Sequence, residues 1–79
     1  MLILYYKPNC SYCQTVLRFA EEQSLTLDLR DIATVPEHAE DLIERGGKRQ
    51  VPYLVDDKKE IEMYESDDII TYLKKNYVH

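Results

Sequence analysis

The sequence has 79 residues, of which 44% are hydrophobic and 32% charged, a composition typical of one globular domain rather than a disordered or fibrous chain. Ten basic and 15 acidic residues give a net charge of −5, which argues against nucleic-acid binding. No apolar run reaches the roughly 18 residues of a membrane span, and Met1–Tyr6 is not a signal peptide, so a cytoplasmic protein with no membrane partner is expected.

The first third of the chain has the pattern of a β-α-β unit. Leu2–Tyr6 is a continuous apolar run, which is typical of a central strand buried on both faces. Apolar residues then recur at helical spacing over residues 11–23, and residues 25–29 alternate apolar with polar as a strand does. A connection of this length predicts that the two strands are parallel and joined by a right-handed crossover.

A second helix and a hairpin are predicted to follow. Pro36 opens the helix, Ile43 belongs to its apolar stripe, and Gly46-Gly47 ends it. Residues 51–55 and 60–63 have the composition of two short strands, and the four residues between them are of turn type. Their spacing predicts an antiparallel hairpin.

The last predicted helix begins near Ser66. This serine is predicted to be the N-cap, and Asp67 and Asp68 in the first turn favour the positive end of the helix dipole. The complete order is β-α-β-α-β-β-α. It predicts an α/β fold, a four-stranded mixed sheet flanked by three helices, in one domain of residues 1–79.

The two cysteines lie three residues apart at the start of the first predicted helix. A disulfide between Cys10 and Cys13 closes too small a loop to stabilise the fold much, and in a reducing compartment such a pair is more often chemical than structural. Backbone N–H groups at a helix N-terminus stabilise an anion, so Cys10 is expected to form a thiolate readily, with Lys7 adding positive charge. Cys13, one turn further on, is expected to be less exposed and to attack a mixed disulfide at Cys10.

Two other interpretations of the cysteines were weighed. A zinc site needs two more Cys or His ligands, and the histidines are His38, on a predicted helix exterior, and His79, at the frayed terminus. No metal site is therefore predicted. Two packed core thiols without chemistry are the remaining alternative to a redox pair.

Three further motifs each have a structural and a functional interpretation. Val51-Pro52 either opens an ordinary edge strand, or is a cis-proline facing the cysteines that leaves Val51 free to pair with a peptide-like ligand. Residues 64–68 are either a plain capped helix or a nest of amides and a hydroxyl that holds a carboxylate. Lys48 and Arg49 are either a solvated basic turn or a ligand clamp.

Together these residues resemble the glutaredoxins, which have the thioredoxin fold. Residues 6–13, Tyr-Lys-Pro-Asn-Cys-Ser-Tyr-Cys, are similar to the active-site segment of that family, and Val51-Pro52 is similar to its cis-proline. The resemblance implies that Cys10 is the nucleophile, which accepts glutathione from a mixed disulfide, and that Cys13 is the resolving thiol.

The sequence departs from the glutaredoxin pattern at two places. Ser11 stands where the family usually has proline, and in relatives a serine there goes with a glutathione-ligated iron–sulfur cluster between two subunits. Glu65-Ser66 replace two glycines and resemble the glutathione transferase N-terminal domain and transferase-like glutaredoxins, in which this pair binds the γ-glutamyl carboxylate. Those relatives carry a helical second domain, for which a chain ending at His79 is expected to leave no room.

The sequence thus predicts a monomeric, glutathione-dependent dithiol oxidoreductase that reduces protein disulfides and glutathionylated proteins. The alternatives are a scaffold or carrier for a glutathione-ligated iron–sulfur cluster and a thioredoxin-like reductant fed by a flavoprotein reductase. The predicted catalytic residues are Cys10 and Cys13. The residues predicted to bind glutathione are Lys7, Tyr12, Val51, Pro52, Glu65, Ser66 and Asp67.

Overall fold

Alternating strand and helix signals produce a sheet with helices on both faces in the computed structural model, which describes residues 1–78. In chain order the elements are β1 (Leu2–Tyr6), α1 (Ser11–Glu22), β2 (Asp28–Asp31), α2 (Pro36–Gly46), β3 (Tyr53–Asp56), β4 (Ile61–Tyr64) and α3 (Ser66–Tyr77). The expected position of His79 at a frayed terminus lies outside the described residues. No helix within residues 1–78 has the length and apolar character needed to cross a bilayer.

The sheet is mixed, with the strand order β2-β1-β3-β4. β1 pairs in parallel with β2, while β3 runs antiparallel to both β1 and β4. The predicted parallel β-α-β unit, the antiparallel hairpin and the α/β thioredoxin-like fold are therefore confirmed.

The central strand β1 is covered on both faces, as its uninterrupted apolar run predicts. Ile3 and Tyr5 belong to the core beneath α2, whereas Leu2 and Leu4 belong to the core beneath α1 and α3. Leu4 and Tyr5 have no exposed surface. This firmly held strand delivers the chain to the cysteine-bearing start of α1.

β2 begins later than predicted, at Asp28 rather than Leu25. The Leu25 N–H donates to the Ala20 carbonyl at the end of α1, over 2.8 Å, so it is not available to a strand ladder. Pairing with β1 starts only where Asp28 lies opposite Ile3. The alternating pattern of residues 25–29 therefore reflects leucines packing beneath the helices rather than strand pairing.

The hairpin strands and α2 also differ in detail from the predicted elements. β3 begins at Tyr53 because Pro52 has no N–H to give to a ladder, and β4 is displaced by one residue, to Ile61–Tyr64. Asp56, predicted in the turn, is the last residue of β3 and is fully buried. Ile43 was predicted to face inward but is 43% exposed, because α2 buries only a narrow stripe against the sheet.

Asp56 anchors the C-terminal end of α3 to the sheet. Its carboxylate accepts hydrogen bonds from the hydroxyls of Tyr72 (2.6 Å) and Tyr77 (2.5 Å) and from the N–H of Lys59 (3.3 Å). Burial by itself raises the pKa of Asp56, but these hydrogen bonds outweigh burial and hold that pKa below its ordinary value. The bond to Asp56, followed by burial, raises the pKa of Tyr77 to about 12.

Candidate functional site

Cys10 lies at the junction between β1 and α1, where it is the N-cap of the helix. Its backbone is extended (φ −101°, ψ 116°), and its Sγ accepts the N–H of Cys13 over 3.2 Å. A sulfur here replaces the oxygen that usually caps a helix and receives an N–H from the positive end of the helix dipole. The partly exposed thiol of Cys10 is thus held where a sulfur anion is stabilised.

Cys13 has the opposite environment. It is fully buried in the first turn of α1. Burial, followed by its hydrogen bond with Cys10, raises the pKa of Cys13 to about 12, so Cys13 remains a neutral thiol at neutral pH. This asymmetry agrees with the predicted order, in which Cys10 attacks and Cys13 resolves.

A large cleft of about 610 Å³ lies between the Tyr12 side chain, the loop before β3 and the start of α3. It brings together every residue predicted to bind glutathione except Lys7. The residues that line this large cleft are Tyr12, Gln50, Val51, Pro52, Glu65, Ser66, Asp67 and Asp68. Tyr12 is 68% exposed and can therefore cover a bound ligand without leaving the protein core.

A small cleft of about 410 Å³ contains the Cys10 thiol and adjoins the large cleft at Gln50 and Val51. The residues that line it are Lys7, Asn9, Cys10, Arg49, Gln50 and Val51. The small cleft is basic, whereas the large cleft carries the carboxylates of α3. Of the two residues weighed as a clamp, Arg49 lines the small cleft, and Lys48 lies with its Nζ 4.9 Å from the ring centre of Tyr64.

The segment between the two clefts is Val51-Pro52, and its peptide bond is cis. Ladder pairing starts only at Tyr53, so the backbone of Val51 lies outside the sheet, on the border of both clefts. An extended ligand that crosses from one cleft to the other would run beside this backbone.

Glu65 precedes α3 with an unusual backbone conformation. Its φ of +69° lies in the left-handed region, which costs a residue other than glycine roughly 1–3 kcal/mol. The predicted N-cap role of Ser66 is wrong, because Ser66 is already the first residue of the helix and Glu65 takes the cap position without a side-chain cap bond. The N–H groups of a first helical turn have no partner within the helix, so residues 66–68 present theirs at the cleft.

Gln50 is a cleft residue that the sequence interpretation missed. Its Nε2 donates to Glu65 Oε1 over 3.1 Å, which links the loop before β3 to the residue that opens α3. Asn9 and Asp68 also line the clefts and were not among the predicted ligand contacts. The only sequence signal for Gln50 is its place next to Val51-Pro52, which does not separate a lining residue from a solvated one.

Comparisons with known proteins agree with the geometry. The family model described as "Glutathione S-transferase, N-terminal domain" matches residues 4–79 of the chain. No curated protein matches it.

Solved structures of glutathione transferases share the fold. A delta-class glutathione transferase of Nilaparvata lugens is 28% identical, with a TM-score of 0.82, over 98% of this chain and 36% of its own. A glutathione S-transferase of the Antarctic clam Laternula elliptica is 27% identical, with a TM-score of 0.81, over 96% of this chain and 35% of its own. Human glutathione transferase theta-2, solved with glutathione and an unknown ligand, shares the fold at 23% identity (TM-score 0.84; 98% of this chain and 32% of its own). The chain thus spans about a third of the length of these proteins.

Proposed function

We propose that this chain, which belongs to the glutathione S-transferase N-terminal domain family, is a glutathione-dependent thiol–disulfide oxidoreductase of one domain. The observation that carries the proposal is the Cys10 thiol, partly exposed and accepting a helix N–H, in a cleft that continues into a second cleft. Family membership supports glutathione as the ligand. The paired thiols support disulfide exchange as the chemistry.

The charges of the two clefts match those of glutathione end to end. The tripeptide has a carboxylate at its glycine end, and a carboxylate beside an ammonium at its γ-glutamyl end. Lys7 and Arg49 in the small cleft are suited to the glycine carboxylate. The N–H groups and the Ser66 hydroxyl at the start of α3 are suited to the γ-glutamyl carboxylate, and the carboxylates of Glu65 and Asp67 to the ammonium.

In this orientation the middle of glutathione runs beside Val51, with its sulfur towards Cys10. The backbone of Val51 is expected to pair with the cysteinyl residue as one strand pairs with another. Tyr12 covers the ligand from the side of α1. The net charge of −5 repels an anionic tripeptide at long range, so local attraction by Lys7 and Arg49 has to outweigh it.

The proposed reaction has two exchange steps. The Cys10 thiolate attacks the glutathione sulfur of a glutathionylated protein; a Cys10–glutathione disulfide forms, and the protein thiolate leaves and takes up a proton. A second glutathione, as thiolate, attacks the glutathione sulfur of that disulfide. Glutathione disulfide leaves, and the Cys10 thiolate is restored. The substrate disulfide is reduced, and two glutathione molecules become one glutathione disulfide.

Turnover of a glutathionylated peptide tests the proposal directly. The wild-type protein is expected to release the free peptide thiol in the presence of glutathione, with NADPH consumption by added glutathione reductase reporting the glutathione disulfide formed. The uncatalysed rate without protein is the control. Mass spectrometry should detect one glutathione on Cys10 when the reductase is omitted. A rate equal to the uncatalysed one would contradict the proposal.

Cys13→Ser separates two routes of reduction. Because Cys13 is buried and protonated, we expect this variant to keep most of its turnover on the glutathionylated peptide, which needs Cys10 alone. Reduction of an intramolecular protein disulfide, in which Cys13 must resolve the mixed disulfide, should fall by about tenfold or more. Equal losses on both substrates would show that Cys13 does not act as the resolving thiol.

Transfer of glutathione to an electrophile is the second candidate, because it is favoured by the match to the transferase family. An aryl halide assay distinguishes it: a transferase makes a thioether conjugate and oxidises no glutathione. The thioredoxin-like alternative predicts no glutathione binding. The iron–sulfur alternative would need ligands from glutathione and a second copy, because no three His, Cys, Asp or Glu side chains within residues 1–78 are grouped to hold a metal ion.

A further inference from the structure

The Tyr64 side chain connects the two walls of the large cleft. Tyr64 is the last residue of β4 and directly precedes Glu65. Its hydroxyl donates to the carbonyl oxygen of Lys48 (2.8 Å) and accepts the N–H of the same residue (3.2 Å). Lys48 begins the loop that continues through residues 49–52 to the clefts. One side chain from the α3 wall therefore holds the backbone of the loop wall.

The surroundings of Tyr64 keep its ring in place. The Tyr53 ring packs against it with the two ring centres 4.4 Å apart, and the Lys48 ammonium lies over it at 4.9 Å. Gly46, at the end of α2, leaves room for the hydroxyl: a Cβ there would lie 2.2 Å from Tyr64 Oη and 2.7 Å from Cζ. Only glycine permits this approach without displacing the ring.

We propose that Tyr64 is a positioning residue that fixes the distance between the loop carrying Val51 and the start of α3 carrying Ser66. This inference rests on the proposed function, because it assigns Tyr64 to the same glutathione site without contact between Tyr64 and the ligand. Glutathione has to meet both walls at once. A cleft whose walls are already fixed at the binding distance loses less conformational entropy when the ligand binds.

The bond between Gln50 and Glu65 is a second link between the same walls. It joins two side chains at the surface, whereas Tyr64 grips backbone atoms of Lys48 and packs partly into the core. Backbone contacts fix the path of a loop more directly than contacts between long side chains, which must first be ordered themselves. We therefore assign the larger share of positioning to Tyr64.

Tyr64→Phe tests this role, because it removes both hydrogen bonds to Lys48 and keeps the ring. Amide hydrogen exchange of Lys48 is expected to accelerate in the variant, with or without glutathione. The glutathione dissociation constant is expected to rise by about three- to tenfold, as for the loss of one or two hydrogen bonds. The rate of Cys10 alkylation by iodoacetamide without glutathione should stay unchanged, because the thiol and its capping N–H are untouched.

Tyr72→Phe is the matched control, since it also removes a tyrosine hydroxyl bond, to Asp56, away from the clefts. It should lower the unfolding temperature and leave the glutathione dissociation constant unchanged. Gly46→Ala, which pushes the Tyr64 ring aside, should weaken glutathione binding as Tyr64→Phe does. Equal affinities of Tyr64→Phe and wild type would overturn the positioning role alone, with the proposed function intact. Absence of glutathione binding by the wild type would overturn both.

Discussion

Cys10→Ser is expected to reduce the turnover of glutathionylated peptide by more than about a hundredfold, because a serine hydroxyl neither ionises near neutral pH nor forms a disulfide. The fold should survive the change. The Cys10 side chain contributes an N-cap acceptor to α1, and serine is among the best N-cap residues. The loss would therefore report chemistry rather than unfolding. It is measured with the coupled NADPH assay, alongside circular dichroism to confirm that the helices are intact.

Non-covalent glutathione binding distinguishes loss of the nucleophile from loss of the site. The charged contacts proposed for glutathione come from other residues, so Cys10→Ser should keep its affinity for reduced glutathione within about threefold. Cys13→Ser, which removes the other thiol, is the matched control and should remain active. Undiminished exchange by Cys10→Ser would remove the foundation of the proposal. Surviving conjugation to an aryl halide in that variant would indicate a transferase that does not use Cys10.

The elements of the fold were predictable where local patterns and tertiary packing agree. The apolar run of β1, the helical spacing of α1 and the proline and glycines that bound α2 are all local signals. The start of β2 was not predictable, because it depends on a hydrogen bond between Leu25 and Ala20 that takes the first leucine out of the ladder. Alternation in sequence cannot distinguish a strand from an extended segment whose leucines fill a helix interface.

The candidate site divides in the same way. Cys10 and Cys13 announce themselves by spacing and by their place before a helix, and the fold brings the motifs Val51-Pro52 and Glu65-Ser66 to the cleft beside them. Residues such as Gln50 and Tyr64 act through distant partners, at 15 and 16 positions along the chain. Their contribution depends on the relative placement of α2, β4 and α3, which no local pattern encodes.

Glu65 shows how a sequence signal can be interpreted correctly in its chemistry and incorrectly in its geometry. The pair Glu65-Ser66 was recognised as a ligand motif, but the helix was predicted to begin after a serine cap. Instead, Glu65 takes the cap position at positive φ, and Ser66 becomes the first helical residue and is buried beside the cleft. Its N–H then belongs to the unpaired first turn, which is the turn that faces an anionic ligand.

Asp56→Asn is expected to lower the free energy of unfolding by about 2–4 kcal/mol at pH 7, because Tyr72 and Tyr77 lose a charged acceptor inside the protein. For a domain of this size, that corresponds to a fall in the unfolding temperature of roughly 8–30 °C. Asp57→Asn is the matched control. Asp57 is an exposed neighbour that bonds the Met1 ammonium, and its loss should cost no more than about 1 kcal/mol.

The pH dependence of this loss identifies the carboxylate as its cause. The pKa of Asp56 is lowered in the folded protein, so its stabilisation is fully present above the unfolded value of about 3.9 and disappears as the pH falls through the folded pKa. The stability difference between wild type and Asp56→Asn should therefore be constant from pH 7 to about pH 5 and shrink in more acidic solution. Urea unfolding at a series of pH values measures it. A difference that stays constant down to pH 2 would mean that packing, rather than the ionised carboxylate, accounts for the loss.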